Sequence, residues 1–195
     1  MKQEKLESIL DTAKKMFARY GLQKTSLEEV ARMARVAKAT LYNYFENKDQ
    51  VYLEVLRREI DDVIKQVSLS VEQEVSPVDK LRAFVQAKFR YMKDAINILN
   101  LGREGIDKLL PKTAEIHDSL FKREVEIIRC ILDRGVNEGV FRIKDVFLTA
   151  QAIGYALKGF ELNWLVQESD KQIEDYLYPL TDVVFKGILA ERPGE

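Results

Sequence analysis

Between Lys38 and Tyr44 the chain sets out Lys38, Ala39, Thr40, Leu41, Tyr42, Asn43 and Tyr44, a short run dense in hydrogen-bonding groups. Helical periodicity turns Leu41, and Phe45 one turn on, towards a core. Lys38, Ala39, Thr40, Tyr42, Asn43 and Tyr44 are left facing out. The chemistry open to such a face is recognition of a polyanion. Tyrosine hydroxyls and an ammonium reach phosphates, and an asparagine amide pairs with the edge of adenine. Periodicity alone leaves an alternative, a solvated helix whose tyrosines pack on neighbours. Catalytic chemistry finds no comparable run. With one histidine, His117, and one cysteine, Cys130, a nucleophilic set needs both in one pocket. His117 lacks a second histidine and any Glu-x-x-His spacing, so no metal is expected. Gly102 and Gly105 are too isolated for a phosphate loop. The chain is therefore read as no enzyme, with no cofactor.

The outward run has to be held by its neighbours. Ser26-Leu27-Glu28-Glu29 is a capping box that opens a short helix with Val30, Ala31 and Ala34 inward. A break near Arg35-Val36 separates it from the second short helix, roughly Lys38 to Tyr44. Upstream, Leu6, Ile9, Leu10, Ala13, Met16, Phe17 and Tyr20 recur at steps of three and four, and Gly21 stands where a C-terminal cap belongs. Two short helices across a tight turn, braced by an amphipathic helix, make a helix-turn-helix. Asn47 and Gln50 then frame the start of a long helix from Lys48 towards residue 73. Its apolar side is Val51, Tyr52, Val55, Leu56, Ile60, Val63, Ile64 and Val67. Ser76-Pro77-Val78-Asp79 starts another helix, which buries Leu81, Phe84, Val85, Phe89, Met92 and Ile96. A short irregular helix is expected around Asn100 to Pro111. A long one follows, carrying Ile116, Leu120, Ile127, Ile128, Ile131 and Leu132 to an end near Gly135 or Gly139. The last two helices are placed at about 145–167 and 171–190. The reading is all-α with about nine helices: a three-helix DNA-binding head over 1–47 and a helical body over 48–195, linked by the helix from 48 to about 73.

Composition agrees. The chain has 195 residues, 46% of them hydrophobic and 32% charged, enough for a buried core. Only four prolines and nine glycines interrupt it, which suits long helices. The lone cysteine suits a reducing cytoplasm. The first residues enter the helical pattern without the order of a secretory signal. The least charged stretch, Val146 to Val166, still holds Lys158 and Glu161 and reads as a buried helix rather than a membrane span. Of 31 Lys/Arg and 32 Asp/Glu, ten and seven fall in residues 1–50, a slightly basic head on an acidic body.

Thr25-Ser26-Leu27-Glu28-Glu29-Val30-Ala31, then Val36, Thr40-Leu41-Tyr42, Tyr44-Phe45 and Asn47-Lys48, resembles the N-terminal signature of the tetracycline-repressor (TetR) family. Ala13, Phe17 and Gly21 fit that family's first helix, so the likeness covers about residues 6–56. Further on, the helix count and Gly135…Gly139-Val140-Phe141 are similar to the family. The resemblance implies that Thr25 or Ser26 and Tyr42 bind phosphate. It gives Lys48 the same task from the start of the fourth helix, whose N-terminal dipole assists. Lys38, Ala39, Thr40, Asn43 and Tyr44 would approach bases or backbone. Individually, Ser26 as a plain cap, Thr40 as a first-turn residue and Lys48 as a solvated charge stay open. Two positions depart from the family pattern. Arg35 stands where a left-handed glycine is usual, at a cost of about 1 kcal/mol. Ala37 stands where serine or threonine caps the recognition helix, losing about another 1 kcal/mol. A phosphate contact by Arg35 would recover part of this.

In the family the body binds a small effector and dimerises through its last two long helices. Here Ala150, Ala152, Gly154, Ala156 and Gly159 allow close helix–helix approach in a symmetric dimer, the alternative being one buried helix of a monomer. Phe84, Phe89, Met92, Phe121, Phe147, Tyr155 and Trp164 suffice to line an apolar cavity, or simply to build a core. Lys88, one turn from Phe84 and Met92, is placed to meet an acidic group on a ligand, or else is solvated. The function expected is a ligand-responsive repressor. It would bind a palindromic double-stranded DNA operator as a homodimer and be released by a small hydrophobic effector. The rivals are an effector-independent DNA-binding or architectural protein and, lacking catalytic residues, a helical enzyme.

Overall fold

Local capping chemistry decides where the helices begin. In the computed structural model, which describes residues 2–95, 97–98, 110–167, 179, 181–184 and 186–188, Ser26 takes an extended conformation and accepts the Glu29 N–H at 3.2 Å. Its own hydroxyl donates to the Glu29 carboxylate at 3.1 Å. Asn47 Oδ1 accepts the Gln50 N–H at 3.0 Å, while Gln50 Oε1 reaches back to the Glu46 N–H at 2.9 Å. Ser76 accepts the Asp79 N–H at 3.1 Å, with Pro77 as the first helical residue. Each cap contributes about 1 kcal/mol.

The helices so bounded are α1 (Lys2–Lys24), α2 (Leu27–Met33), α3 (Lys38–Tyr42), α4 (Lys48–Glu72), α5 (Pro77–Met92), α6 (Leu110–Asn137) and α7 (Val146–Gln167). Residues 181–184 and 186–188 are helical too. The expected irregular helix near 100–111 and most of the 171–190 helix lie outside the described residues. Among the described residues there is no β-strand beyond an isolated bridge at Phe141. α1 is interrupted where expected, at Gly21, whose φ of 79° and ψ of 164° are not helical.

The chain groups into two compact units, Met1–Asp62 with Lys93–Asp118 and Val63–Met92 with Ser119–Glu195, so that α4 and α6 each run from one into the other. The core of the first unit joins Ile9, Leu10, Ala13 and Phe17 of α1 to Leu27, Val30 and Ala31 of α2, Leu41 of α3, and Val51, Val55 and Leu56 of α4. The Phe17 and Tyr52 rings meet edge to face at 5.1 Å. Four residues of this unit differ from the periodic expectation. Tyr20, just before the Gly21 break, is exposed under the Arg19 guanidinium at 5.2 Å, and Leu6 and Met16 of α1 and Phe45, just past α3, are only half-buried.

The second unit is built on Val63 and Val67 of α4, Leu81, Phe84, Phe89 and Met92 of α5, Ile128, Ile131 and Leu132 of α6, and Ala150 and Leu157 of α7. The Gly135…Gly139-Val140-Phe141 segment closes α6. Gly139, at φ 71°, donates its N–H to the Val136 carbonyl at 3.0 Å, and Val140 donates to the Gly135 carbonyl at 2.8 Å. That is the left-handed helix stop that glycine adopts without penalty. Gly135 serves differently: a Cβ there would lie 2.0 Å from the Phe141 ring, which folds back onto bare backbone.

Candidate functional site

The turn before α3 sets the recognition face. Val36 donates to the Ala31 carbonyl at 3.0 Å and Arg35 to the Arg32 carbonyl at 3.2 Å. With Arg35 at φ 56°, these bonds form a complete Schellman stop. The turn thus keeps the left-handed geometry that suits glycine although arginine occupies it. Ala37 is extended at φ −64° and ψ 143° and offers no side-chain cap to α3. Arg35→Gly and Ala37→Ser are each expected to raise the unfolding free energy, by about 1 kcal/mol at most for the first and about 1 kcal/mol for the second. Urea titration checks this. No gain from Ala37→Ser would mean that the first N–H groups of α3 are already served.

On α3, Leu41 is buried, Lys38, Ala39, Tyr42 and the C-cap Asn43 are exposed, and Thr40 is half-buried. Helical bonds continue past Tyr42, with Asn43 donating to Ala39 at 3.0 Å and Phe45 to Leu41 at 3.1 Å, so half-buried Tyr44 rides the same turn. The Lys38 ammonium lies 2.6 Å from the Glu28 carboxylate of α2 and 5.6 Å from the centroid of the Tyr42 ring. The pairing holds the Glu28 carboxyl below its usual range and the Lys38 ammonium above its own. Spacing along the chain gave no sign of this pair, because it joins two helices across the turn.

Tyr42 and Thr40 stand on opposite sides of α3, and each lines a surface hollow. Thr25, Ser26, Tyr42 and Lys48 come together in one, beside Gln23, Lys24, Glu46 and Asn47. Arg35 and Thr40 line the other with Glu4, Lys5 and Ser8 of α1. Gln23, Lys24 and Lys5 were not singled out in the sequence, and Asn47 only as a helix start and part of the family signature. Only the folding of α1 against α3 and α4 brings them here.

Within the first hollow, Thr25 is buried and its hydroxyl donates to the Gly21 carbonyl at 2.8 Å, while the Ser26 hydroxyl is engaged in the α2 cap. Lys48 is neither solvated nor pointing at open space. Its ammonium donates to the carbonyls of Leu22 at 2.7 Å, Thr25 at 3.0 Å and Gln23 at 3.3 Å. A cation at the first residue of α4 thereby satisfies the orphan acceptors ending α1. Lys48→Met is accordingly expected to destabilise the head by about 2 kcal/mol. It should leave the salt dependence of DNA affinity unchanged, whereas a slope smaller by about one would assign Lys48 to a phosphate.

In the body the candidate ligand residues divide. Phe84, Phe89 and Met92 are buried along α5. Phe147 and Tyr155 are 53% and 61% exposed on α7. Phe121 of α6 is half-buried, its ring 4.6 Å from that of Tyr155 and 5.3 Å from the Lys158 ammonium. The Trp164 side chain lies outside the described residues. Lys88 is not solvated: its side chain is 1% exposed and its ammonium sits 2.5 Å from the Glu124 carboxylate of α6. The small residues of α7 divide as well. Ala150 is buried, and a Cβ on Gly154 would meet Val125 at 3.0 Å and Phe121 at 3.1 Å. Ala152, Ala156 and Gly159 face outward. Gly154 therefore serves packing of α7 on α6 within the chain rather than a partner. An apolar cavity of ≈ 20 Å³ lies among Leu81 and Val85 of α5, Ile153 and Leu157 of α7, and Thr181 and Val184. Among the described residues no cluster of His, Cys, Asp or Glu is placed to hold a metal ion, and no helix is long and apolar enough to cross a membrane.

Residues 9–55 match the family model described as bacterial regulatory proteins of the tetR family, and residues 74–187 that of the tetracyclin repressor-like C-terminal domain. The fatty acid metabolism regulator protein of Bacillus subtilis is 19% identical over 188 residues, covering 96% of this chain and 97% of its own length. A transcriptional regulator from Cytophaga hutchinsonii superposes with a TM-score of 0.81 at 24% identity, over 95% of this chain and 99% of that one. FadR from Bacillus subtilis, solved in complex with stearoyl-CoA, superposes with a TM-score of 0.66 at 22% identity, over 93% and 96% of the two chains. Matches to both the N-terminal and the C-terminal domain of one family span most of the sequence. The chain belongs to the TetR family of bacterial transcription regulators.

Proposed function

We propose that this chain is a cytoplasmic repressor that binds a palindromic operator in double-stranded DNA as a homodimer and leaves it when a hydrophobic effector enters the body. The observation that carries this is the recognition face. α3 presents Lys38, Tyr42 and Asn43 to solvent between two hollows bearing Lys24 and Lys5, on a turn built like a helix-turn-helix. Tyr42, Ser26 and Arg35 take phosphates, while Asn43, Ala39 and Thr40 approach bases. Lys38 acts after exchanging Glu28 for a phosphate.

The effector is an amphiphile with a long apolar portion. In this reading the apolar contacts come from α5, where Phe84, Phe89 and Met92 are buried around the Lys88 cation and Leu81 and Val85 line the small apolar cavity. The stearoyl-CoA held by the structurally similar Bacillus subtilis protein supports an acyl chain as that portion. Two copies place their α3 helices about one DNA turn apart, which demands an inverted repeat.

The test is to sequence the fragments of its own genome that the purified protein retains, then to titrate stearoyl-CoA into the complex. An inverted repeat with half-sites spaced by about 10 base pairs, or a multiple of this, is expected. A tenfold fall in affinity needs about 1.4 kcal/mol of coupling between the sites. Retention without a repeat would end the operator reading. Retention unaffected by any acyl ligand would favour a body that only dimerises.

A further inference from the structure

Ala95, Asn97 and Ile98, which follow α5, are buried within the first unit. Each is at most 2% exposed, whereas connecting segments normally lie on the surface. Polar bonds hold it there. Glu59 of α4, itself 1% exposed, accepts the Asn97 side-chain amide on Oε1 at 2.7 Å and the Ile98 N–H on Oε2 at 3.1 Å. The same Asn97 amide donates to the Lys14 carbonyl of α1 at 3.2 Å, and the Tyr52 hydroxyl donates to the Asn97 carbonyl at 3.4 Å.

The chemistry of the pair is specific. Two donors face one side chain, and a carboxylate supplies two acceptors where glutamine supplies one acceptor and a clashing donor. Burial pushes the Glu59 carboxyl up, opposed by the Asn97 and Ile98 donors and by the charge of Lys14. A buried acid kept against that penalty is doing something apolar packing would not do. Its position says what. α1 and α4 are the two helices that brace the recognition element, and Lys48 clamps the end of one to the start of the other. Asn97 grips both, five residues beyond the end of the helix that carries Phe84, Lys88, Phe89 and Met92.

We propose that Glu59 and Asn97 form a latch that ties the end of α5 to the DNA-binding head, so that each sets the state of the other; both are positioning residues for operator binding. The proposal rests on the DNA-binding reading above. A displaced α5 end withdraws Asn97, and α1 and α4 lose the polar tie that they share. Because coupling between two sites is reciprocal, DNA held at α3 must also be felt at residues 89–98.

Hydrogen exchange on the full-length dimer, with and without a retained operator fragment, tests this without knowledge of the effector. In the wild type, DNA should slow exchange both in α3 and in residues 89–98. In Glu59→Gln and in Asn97→Ala the α3 response should remain and the 89–98 response vanish, with operator affinity at least tenfold weaker. Should those variants unfold, the double variant Glu59→Met/Asn97→Leu removes both polar groups at similar volume and must show the same loss. Variants that respond as the wild type does, or a wild type that retains DNA with no response at 89–98, overturn the latch alone. A wild type that retains no DNA overturns the DNA-binding reading and the latch with it.

Discussion

Lys88→Met alone is expected to cost about 3–5 kcal/mol of stability, and Lys88→Met combined with Glu124→Leu less than about 1 kcal/mol. The two side chains are 1% and 6% exposed, and their charges face each other at 2.5 Å between α5 and α6. Removing the ammonium leaves the Glu124 carboxylate in a low-dielectric surrounding with its closest counter-charge gone, and that desolvation is the dominant loss. Glu124→Gln likewise takes from the Lys88 ammonium the carboxylate 2.5 Å away. Removing both charges takes away the attraction and the penalty together, and methionine and leucine refill the volume with atoms suited to Phe84 and Met92 nearby. Urea unfolding of the full-length single and double variants checks the ordering. A double variant as unstable as the single ones would mean that the pair contributes net stability of its own. The ordering also bears on ligand choice, since an acidic ligand group must compete with Glu124 for Lys88.

Position within a periodic stripe and residue type give opposite answers at Lys88, and this marks where the sequence stopped being legible. Lys88 is four residues from both Phe84 and Met92, so its place is inward while its charge says outward. Glu59 poses the same conflict, four residues after Val55 and three after Leu56. In both cases a partner far along the chain decides, Glu124 for Lys88 and Asn97 for Glu59, and periodicity carries no information about partners. Lys48 is alike: its acceptors lie 23 to 26 residues back, at and just past the end of α1.

What was legible depends on neighbours within one turn. Ser26, Asn47 and Ser76 start their helices where local donors need acceptors, and Gly21 and Gly139 take positive φ where helices stop. The three-helix head follows from those signals and from the apolar steps of α1, α2 and α4. The recognition face could be named because Leu41 alone on α3 turns inward. Whether Lys38 was free for DNA could not, since Glu28 belongs to another helix.

α7 is the opposite case, apolar on nearly every side, so periodicity cannot say which side its own chain covers. The packing of Gly154 on Phe121 and Val125 gives the answer and leaves Leu148, Ala152, Tyr155 and Gly159 as an outward stripe at steps of three and four, while Ala156 lines the small cavity with Thr181 and Val184. TetR-family regulators form dimers, and an outward apolar stripe of that kind on a globular surface is the place to test for the contact. Ala152→Arg separates the two roles of the helix. The residue is exposed in the single chain, so the substitution should leave the protomer's fold intact, with circular dichroism unchanged. Across a two-fold interface it buries an unpaired guanidinium from each copy, and sedimentation should show monomers at micromolar concentration. Each monomer still reads one half-site, but the second contact is no longer intramolecular. Affinity for the full operator should therefore fall by about 100-fold or more, while affinity for an isolated half-site stays the same. Gly154→Ala is the counter-test, expected to loosen the α6–α7 packing within each chain before it affects assembly. An Ala152→Arg protein that sediments as a dimer and keeps its operator affinity would place the dimer contact away from this stripe.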